Sequence, residues 1–185
     1  MTVPNSRYTR EHNLSTLVEE RSDFLQISQA TAADLPAILT IENAGFTPAE
    51  AGSPAAYTAR LKAFPETFLV AKDGDQVLGF ICGPIVDQPL VEDWMYDDAP
   101  TNRPTGGHQM ILTVAVLPAA QGRGIGSQLL TALARVAQAH HCDTIALTCL
   151  ADRIPFYQKN GYVKVGVSSS AHAGETWYDL VKTLN

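Results

Sequence analysis

Three glycines alternate with Gln121, Arg123 and Ile125 in the run Gln121-Gly122-Arg123-Gly124-Ile125-Gly126, just after Val116-Leu117-Pro118 and just before Ser127. Leu129, Leu130, Leu133 and Val136 follow at helical spacing. Residues of these types at the junction of a strand, a tight turn and a helix are suited to holding phosphate oxygens. Glycine lets the backbone pass close to a bulky ligand with no Cβ in the way. A helix start offers unpaired N–H groups and the positive end of the helix dipole. Arg123 adds a fixed positive charge. The spacing is not that of the Walker loop, because no Lys-Ser or Lys-Thr follows the last glycine. Nor is it the dinucleotide spacing, because no glycine lies three positions after Gly124. A loop that only reverses the chain does not need Gln, Arg and three glycines gathered at a helix start.

Composition bounds the partners. The chain has 185 residues, 45% of them hydrophobic and 17% charged, which suits one globular domain with a sizeable core. The net charge of −6 argues against nucleic acid or an anionic membrane as partner and favours cationic substrates. Cys82, Cys142 and Cys149 lack the spacing of a metal site, so no metal is expected. Cys82 and Cys149 fall in apolar runs and read as buried free thiols, which fits a reducing cytoplasm. The N-terminal run MTVPNSRYTREHN has no apolar h-region, so no secretory signal is expected, and no stretch is long enough to span a membrane.

The elements that must position the loop follow from periodicity. Residues 1–23 are polar and mixed in charge and read as an N-terminal extension, with a short helix candidate over Ser15–Glu20; residues 24–185 form the domain. Phe24–Ala30 alternates as a strand. Thr31 and Asp34 make a capping box for a helix carrying Leu35, Ile38, Leu39 and Ile41. Gly45–Pro54 is a loop of small residues, and Pro54–Phe64 a second helix with Tyr57, Leu61 and Phe64 on one face. Thr67–Lys72 and Gln76–Val86 flank the hairpin signal Asp73-Gly74-Asp75. Asp87–Gly106 is a long loop with several prolines and acids, a length that usually marks function. His108–Leu117 is a hydrophobic central strand leading to the glycine loop and its helix, which runs to about His141. Thr144–Thr148, Tyr162–Val167 and Glu175–Lys182 are strands, with a short helix over Asp152–Asn160.

Two of these features resemble the GNAT acetyltransferases. The segment Val116 to Gly126 is similar to that family's pyrophosphate loop, Q/R-x-x-G-x-G/A after a strand ending V-x-P. Phe156-Tyr157-Gln158-Lys159-Asn160-Gly161-Tyr162 is similar to its F/L-Y-x-x-x-G-F/Y signature. The resemblance spans about Phe24 to Leu184 and implies an α/β (α+β) GNAT fold: a mixed twisted sheet of about seven strands, flanking helices, and a splay between strands four and five. Thr31–Phe46, Gly106-Gly107-His108 and Thr148–Tyr162 further resemble the arylalkylamine (serotonin) N-acetyltransferase branch. That branch carries two histidines, two residues apart, on the central strand; here Met110 and Leu112 stand there, so its histidine-assisted proton removal is not carried over.

What the resemblance implies for the site is specific. Acetyl-CoA, a co-substrate, is held by the backbones of Val114 and Val116 through pantetheine and by Gln121, Gly122, Arg123, Gly124, Gly126 and Ser127 through pyrophosphate. The Val114 N–H is the oxyanion donor. Tyr157 contacts the cofactor and can give a proton, from a phenol of pKa ~10, to the departing thiolate, whose parent thiol has pKa ~8.5. An alkylamine with a pKa of ~10.4 is neutral in only about one molecule in two thousand at pH 7, so a base is useful. Glu42 and His108 are the candidates. Phe46, Trp94, Met110 and Leu112 are candidate walls of an acceptor pocket, and Asp87, Glu92, Asp93, Asp97 and Asp98 could steer a cation.

The leading expectation is a cytoplasmic N-acetyltransferase acting on a small-molecule primary amine, arylalkylamines included, by direct attack in a ternary complex. A homodimer is compatible with it. The alternatives are a protein N-terminal or lysine acetyltransferase, and a non-catalytic acyl-CoA-binding module.

Overall fold

A computed structural model describes residues 25–170 and 172–184. The expected N-terminal extension and its helix candidate lie outside the described residues. Among those described, nine strands form two sheets with five α-helices around them. β1 (Gln26–Gln29), β2 (Phe68–Asp73), β3 (Gln76–Cys82) and β6 (Thr113–Val116) make one antiparallel sheet in the order β1-β2-β3-β6. β4 (Ile85–Val86), β5 (His108–Ile111), β7 (Thr144–Cys149), β8 (Val163–Val167) and β9 (Tyr178–Thr183) make the other, in the order β4-β5-β7-β9-β8. Within it only β5 and β7 run parallel.

The two additional strands come from breaks in strands expected to be continuous. The Gln76–Val86 run breaks at Gly83-Pro84, and the His108–Leu117 run breaks at Leu112. Gly83 lies so close to Met110 that a Cβ there would collide with the Met110 carbonyl. The buried Gln109 amide fastens this crossing by donating to Gly83 O at 2.8 Å and Met110 O at 2.7 Å. The consequence is a change of partner along one stretch of chain. β5 pairs with β7 as far as Ile111–Leu147, whereas β6 leaves β7 and pairs with β3. This is the expected splay between the central strand and the next one.

The helices close the outer faces. α1 (Leu35–Gly45) follows a 3-10 turn in which Thr31 N–H and Oγ1 both donate to Asp34 Oδ2 at 2.9 Å, the predicted capping box. α2 (Pro54–Ala63) has Ser53 as its cap, accepting from Ala56 N–H at 3.1 Å. Ile38, Ile41, Tyr57 and Phe64 from these helices join Phe68 and Phe80 in one core, with Tyr57 edge-on to Phe80 at 5.6 Å. α3 (Trp94–Asp97) is a single turn inside the long loop. α4 (Ile125–Ala139) buries Ile125, Leu129, Leu130, Leu133 and Ala137 in a second core, a stripe at helical period. It stops where His141 takes φ 58°, with Cys142 N–H bonded to Ala137 O and His141 N–H to Gln138 O, both at 3.0 Å. Those two bonds satisfy the last carbonyls of the helix. α5 (Ile154–Lys159) has Pro155 in its first turn and carries Tyr157 inward.

Candidate active site

β6 has a neighbour on one edge only, because β7 has turned away. Leu117 N–H donates to Leu78 O at 2.8 Å, in register with the β3–β6 pairing. Alternation along an antiparallel ladder therefore directs the backbone groups of Thr113 and Ala115 to β3 and those of Val114 and Val116 to the open side. Gln121 Nε2 confirms the direction by reaching Val116 O from that side at 3.2 Å. Beyond the open edge is a cleft of about 1290 Å³, larger than the ~300–1,000 Å³ usual for a single small ligand. Residues 111–116 form one wall and residues 147–150 of β7 and the loop after it the other, with Glu42, Tyr96, Tyr157 and Trp177 also lining it.

The glycine loop stands at one end of this cleft. Gly122 has φ 78° and Gly124 φ 77°, in the left-handed region, and a Cβ on either would meet nothing within 4 Å. The positive φ values turn the chain so that α4 starts at the cleft. The first bond of the α4 backbone runs from Gln128 N–H to Gly124 O at 3.1 Å, so the amides of Gly122 to Ser127 precede the ladder and remain donors. Gly122, Gly124, Gly126, Ser127 and Gln121 all line the cleft. Arg123 is exposed and is not among the lining residues; Arg153 and Lys159 are, and they bring positive charge that the motif alone does not point to. An array of free amides, a helix dipole and nearby cations fits a pyrophosphate.

Tyr157 is buried where β7 gives way to α5, with the rings of Phe156 at 5.1 Å and Tyr162 at 5.9 Å. Its hydroxyl has no hydrogen bond among the described residues, and the residue lines the cleft. Burial, reinforced by the nearby Cys149, pushes the phenol above its usual pKa. It is therefore a protonated donor at neutral pH, with no acceptor among the described residues.

Glu42 is buried on α1. Its Oε1 accepts from Gly52 N–H at 2.9 Å and its Oε2 has no partner. Desolvation raises its pKa above the ordinary value, against the Gly52 bond, Tyr57 and Arg60, which lower it. That puts a carboxyl group with a free oxygen and raised basicity beside the open edge of β6.

His108 is not brought to this place. It is absent from the cleft lining, and its Nδ1 lies 2.9 Å from Thr144 Oγ1 at the far end of β5. Of the candidate acceptor walls, Phe46 and Leu112 line the cleft; Met110 is fully buried in the core and Trp94 lies outside, its Nε1 donating to Glu92 at 2.7 Å. Of the loop acids only Asp97 lines the cleft, and Asp87 is paired with Arg103 at the surface. Tyr96, which the sequence offered with Trp94 as an aromatic partner for an amine, lines the cleft, whereas sequence reasoning missed Arg60 and Trp177. Arg60 falls three residues after Tyr57, on the same helix face, a spacing that could have marked it. All three cysteines are buried and free; burial pushes the Cys82 thiol up to about 12 and those of Cys142 and Cys149 to about 11, so none is a thiolate at neutral pH. No cluster of metal-ligating side chains occurs among the described residues.

A mixed sheet splayed at its centre, with a glycine loop and helix start at the opening, defines an acyl-CoA-binding acetyltransferase architecture. The chain belongs to the acetyltransferase (GNAT) family, whose model matches residues 35–162. It is 38% identical over 61 residues to a glucosamine 6-phosphate N-acetyltransferase from Candida albicans, a match that spans 33% of this chain and 40% of that relative. Among solved structures it resembles a GNAT-like decarboxylase, GphF, in complex with isobutyryl-CoA (TM-score 0.75, 16% identity, 86% of this chain and 100% of the other). It also resembles Arabidopsis thaliana Naa50 in complex with a bisubstrate analogue (TM-score 0.65, 18% identity, 86% and 99%). At these identities the structural likeness establishes the fold. It does not identify the arylalkylamine branch.

Proposed function

We propose that this protein transfers the acetyl group of acetyl-CoA to the primary amine of a small molecule, by direct attack in a ternary complex. One observation carries the reading: the open edge of β6, the free amides of the glycine loop, the unbonded Tyr157 hydroxyl and the Glu42 carboxyl all face one cleft. The cofactor lies along β6 as an added strand, bonded to the backbones of Val114 and Val116, with its pyrophosphate on Gly122, Gly124, Gly126 and Ser127 and the Gln121 side chain beside it. Arg123 contributes long-range charge.

Glu42 takes a proton from the incoming ammonium, and the amine nitrogen forms its bond to the acyl carbon. The Val114 N–H donates to the oxygen that gains charge, an interaction that contributes roughly 2.7–4 kcal/mol in comparable sites. The carbon–sulfur bond then breaks, the thiolate takes the Tyr157 proton, and the phenolate so formed takes the second proton from the nitrogen, which leaves a neutral amide, free thiol and a restored Tyr157. His108 has no part in this scheme. The apolar and aromatic walls at Phe46, Leu112, Tyr96 and Trp177 suit an arylalkyl group on the acceptor. Burial of all three thiols is in keeping with a cytoplasmic enzyme.

The test is an amine panel with acetyl-CoA, following free thiol. Turnover of small amines, with peptides inert, supports the reading. Turnover of peptide N-termini alone replaces it with protein acetylation, and acetyl-CoA binding without turnover of any acceptor replaces it with a binding module.

A further inference from the structure

Arg60 is a buried cation that the protein leaves without a counter-ion. Its residue exposure is 4%, yet it lines the cleft. Of its five N–H donors, one reaches Tyr96 O at 3.2 Å. The guanidinium stacks over the Tyr57 ring at 5.0 Å and faces the Cys82 thiol, which is neutral. No ion pair to Arg60 occurs among the described residues. Buried charges are ordinarily paired, because their desolvation is otherwise uncompensated.

Glu42, whose carboxyl feels the Arg60 charge, forms no ion pair with it. The Gly52 backbone stands between them: its N–H binds Glu42 Oε1 at 2.9 Å, and a Cβ on Gly52 would lie 3.4 Å from Arg60 Nη1 and 2.9 Å from Tyr57 Cε2. Glu42 is left with one orphaned oxygen and Arg60 with spare donors, in the same cleft. A pair built only for stability would meet in the planar fork that guanidinium and carboxylate share. Here the two groups are held apart by main chain, so that a ligand can touch both.

We infer that the acceptor amine also carries an anionic group, carboxylate or phosphate, which Arg60 binds while Glu42 receives the ammonium. The inference rests on the proposed acetyl transfer and deepens it: the substrate is a small zwitterion rather than a simple cation. The overall charge of −6 would have suggested the opposite. Recognition through a buried guanidinium would admit an anion at the acceptor end of an otherwise acidic protein.

The experiment compares matched amines on the wild-type enzyme at saturating acetyl-CoA: phenylalanine against phenethylamine, and glucosamine 6-phosphate against glucosamine. At least one anion-bearing member should exceed its partner lacking the anion by about tenfold or more in kcat/KM, the effect of one charge-assisted hydrogen bond. The pair that shows the preference tells carboxylate from phosphate. In Arg60→Gln the preference should fall to within about threefold, with the greater loss on the anion-bearing member and KM for acetyl-CoA unchanged. A parallel arm needs no turnover: with CoA bound, 3-phenylpropionate should raise the melting temperature of the wild type more than 3-phenylpropanol does. Wild-type enzyme that prefers the member lacking the anion in both pairs, or shows no preference, overturns the inference. So does Arg60→Gln that keeps the preference while weakening acetyl-CoA, which would assign the guanidinium to a cofactor phosphate. Absence of turnover on every amine counts against acetyl transfer, and the binding arm still decides the anion site. Should Arg60→Gln not fold, the wild-type ratios and the binding arm decide by themselves.

Discussion

Gly52 N–H donates to Glu42 Oε1 at 2.9 Å and leaves Glu42 Oε2 buried with no partner. That arrangement fixes the carboxyl and keeps one oxygen available. Because burial raises its pKa above the usual 4.5, the folded protein holds this proton more tightly than the unfolded chain. Stability from that proton is fully present below 4.5 and is lost as pH rises through the raised value. Glu42→Gln preserves an acceptor for Gly52 and abolishes the titration. Its stability relative to wild type should rise as pH increases above 4.5, measured by thermal denaturation across pH. Its kcat/KM should fall by about 100-fold and lose the inflection due to this carboxyl. Parallel stability curves for the two proteins would place the titration elsewhere.

Gly124 caps α4 in the left-handed region with open space at its Cβ. Gly124→Ala is expected to cost about 1–2 kcal/mol through backbone strain alone. Gly124→Glu adds a negative charge where phosphates are proposed to bind. Wild-type protein at acetyl-CoA 100-fold above Kd should gain about 2.7 kcal/mol of stability, and the glutamate variant none. A thermal-shift titration reads both numbers, and an undiminished shift in Gly124→Glu would displace the phosphate site from this loop.

Tyr157→Phe removes a hydroxyl that has no hydrogen bond among the described residues and leaves the edge-on ring contacts with Phe156 and Tyr162 in place. Its melting temperature should equal that of the wild type or exceed it slightly. With chemistry shown to be rate-limiting, kcat should fall by roughly 10²–10³ while acetyl-CoA affinity is retained. A decrease of less than about threefold would reduce Tyr157 to a packing residue.

Lys72 Nζ lies 2.6 Å from Asp34 Oδ1, and Asp34 also accepts from Thr31. Burial is the largest single influence on this carboxyl and would raise its pKa, but Lys72 and the two Thr31 bonds together hold it below the usual 3.8. The associated stability is present above 3.8 and is lost as pH falls through the lowered value. Lys72→Met should destabilise the fold by about 1–3 kcal/mol at pH 7 and by less in strong acid. Chemical denaturation at several pH values checks both, and a loss independent of pH would make Lys72 a packing residue only.

The parts of this protein written in local sequence were legible without a structure. The stripe Leu129, Leu130, Leu133 repeats at helical period, and Thr31 and Asp34 are three apart in a capping box. Glycines at 122 and 124 permit a turn that other residues resist. Each is a property of a few consecutive residues, so the sequence carries it whole. The family resemblance added Tyr157 and the splay, because motifs preserve function at fixed spacing. The tertiary structure decided the rest. β6 has an open edge because Gln109 and Gly83 fasten the chain at a crossing, and that crossing depends on contacts about 26 residues apart. Glu42 acquires its orphaned oxygen from a loop residue ten positions away, and Arg60 reaches Tyr96 across 36. His108 is a second candidate for proton transfer in one dimension but lies beside Thr144, away from the cleft. Burial and electrostatic environment are sums over neighbours in space, and a linear pattern specifies the side chains without specifying which of them become neighbours.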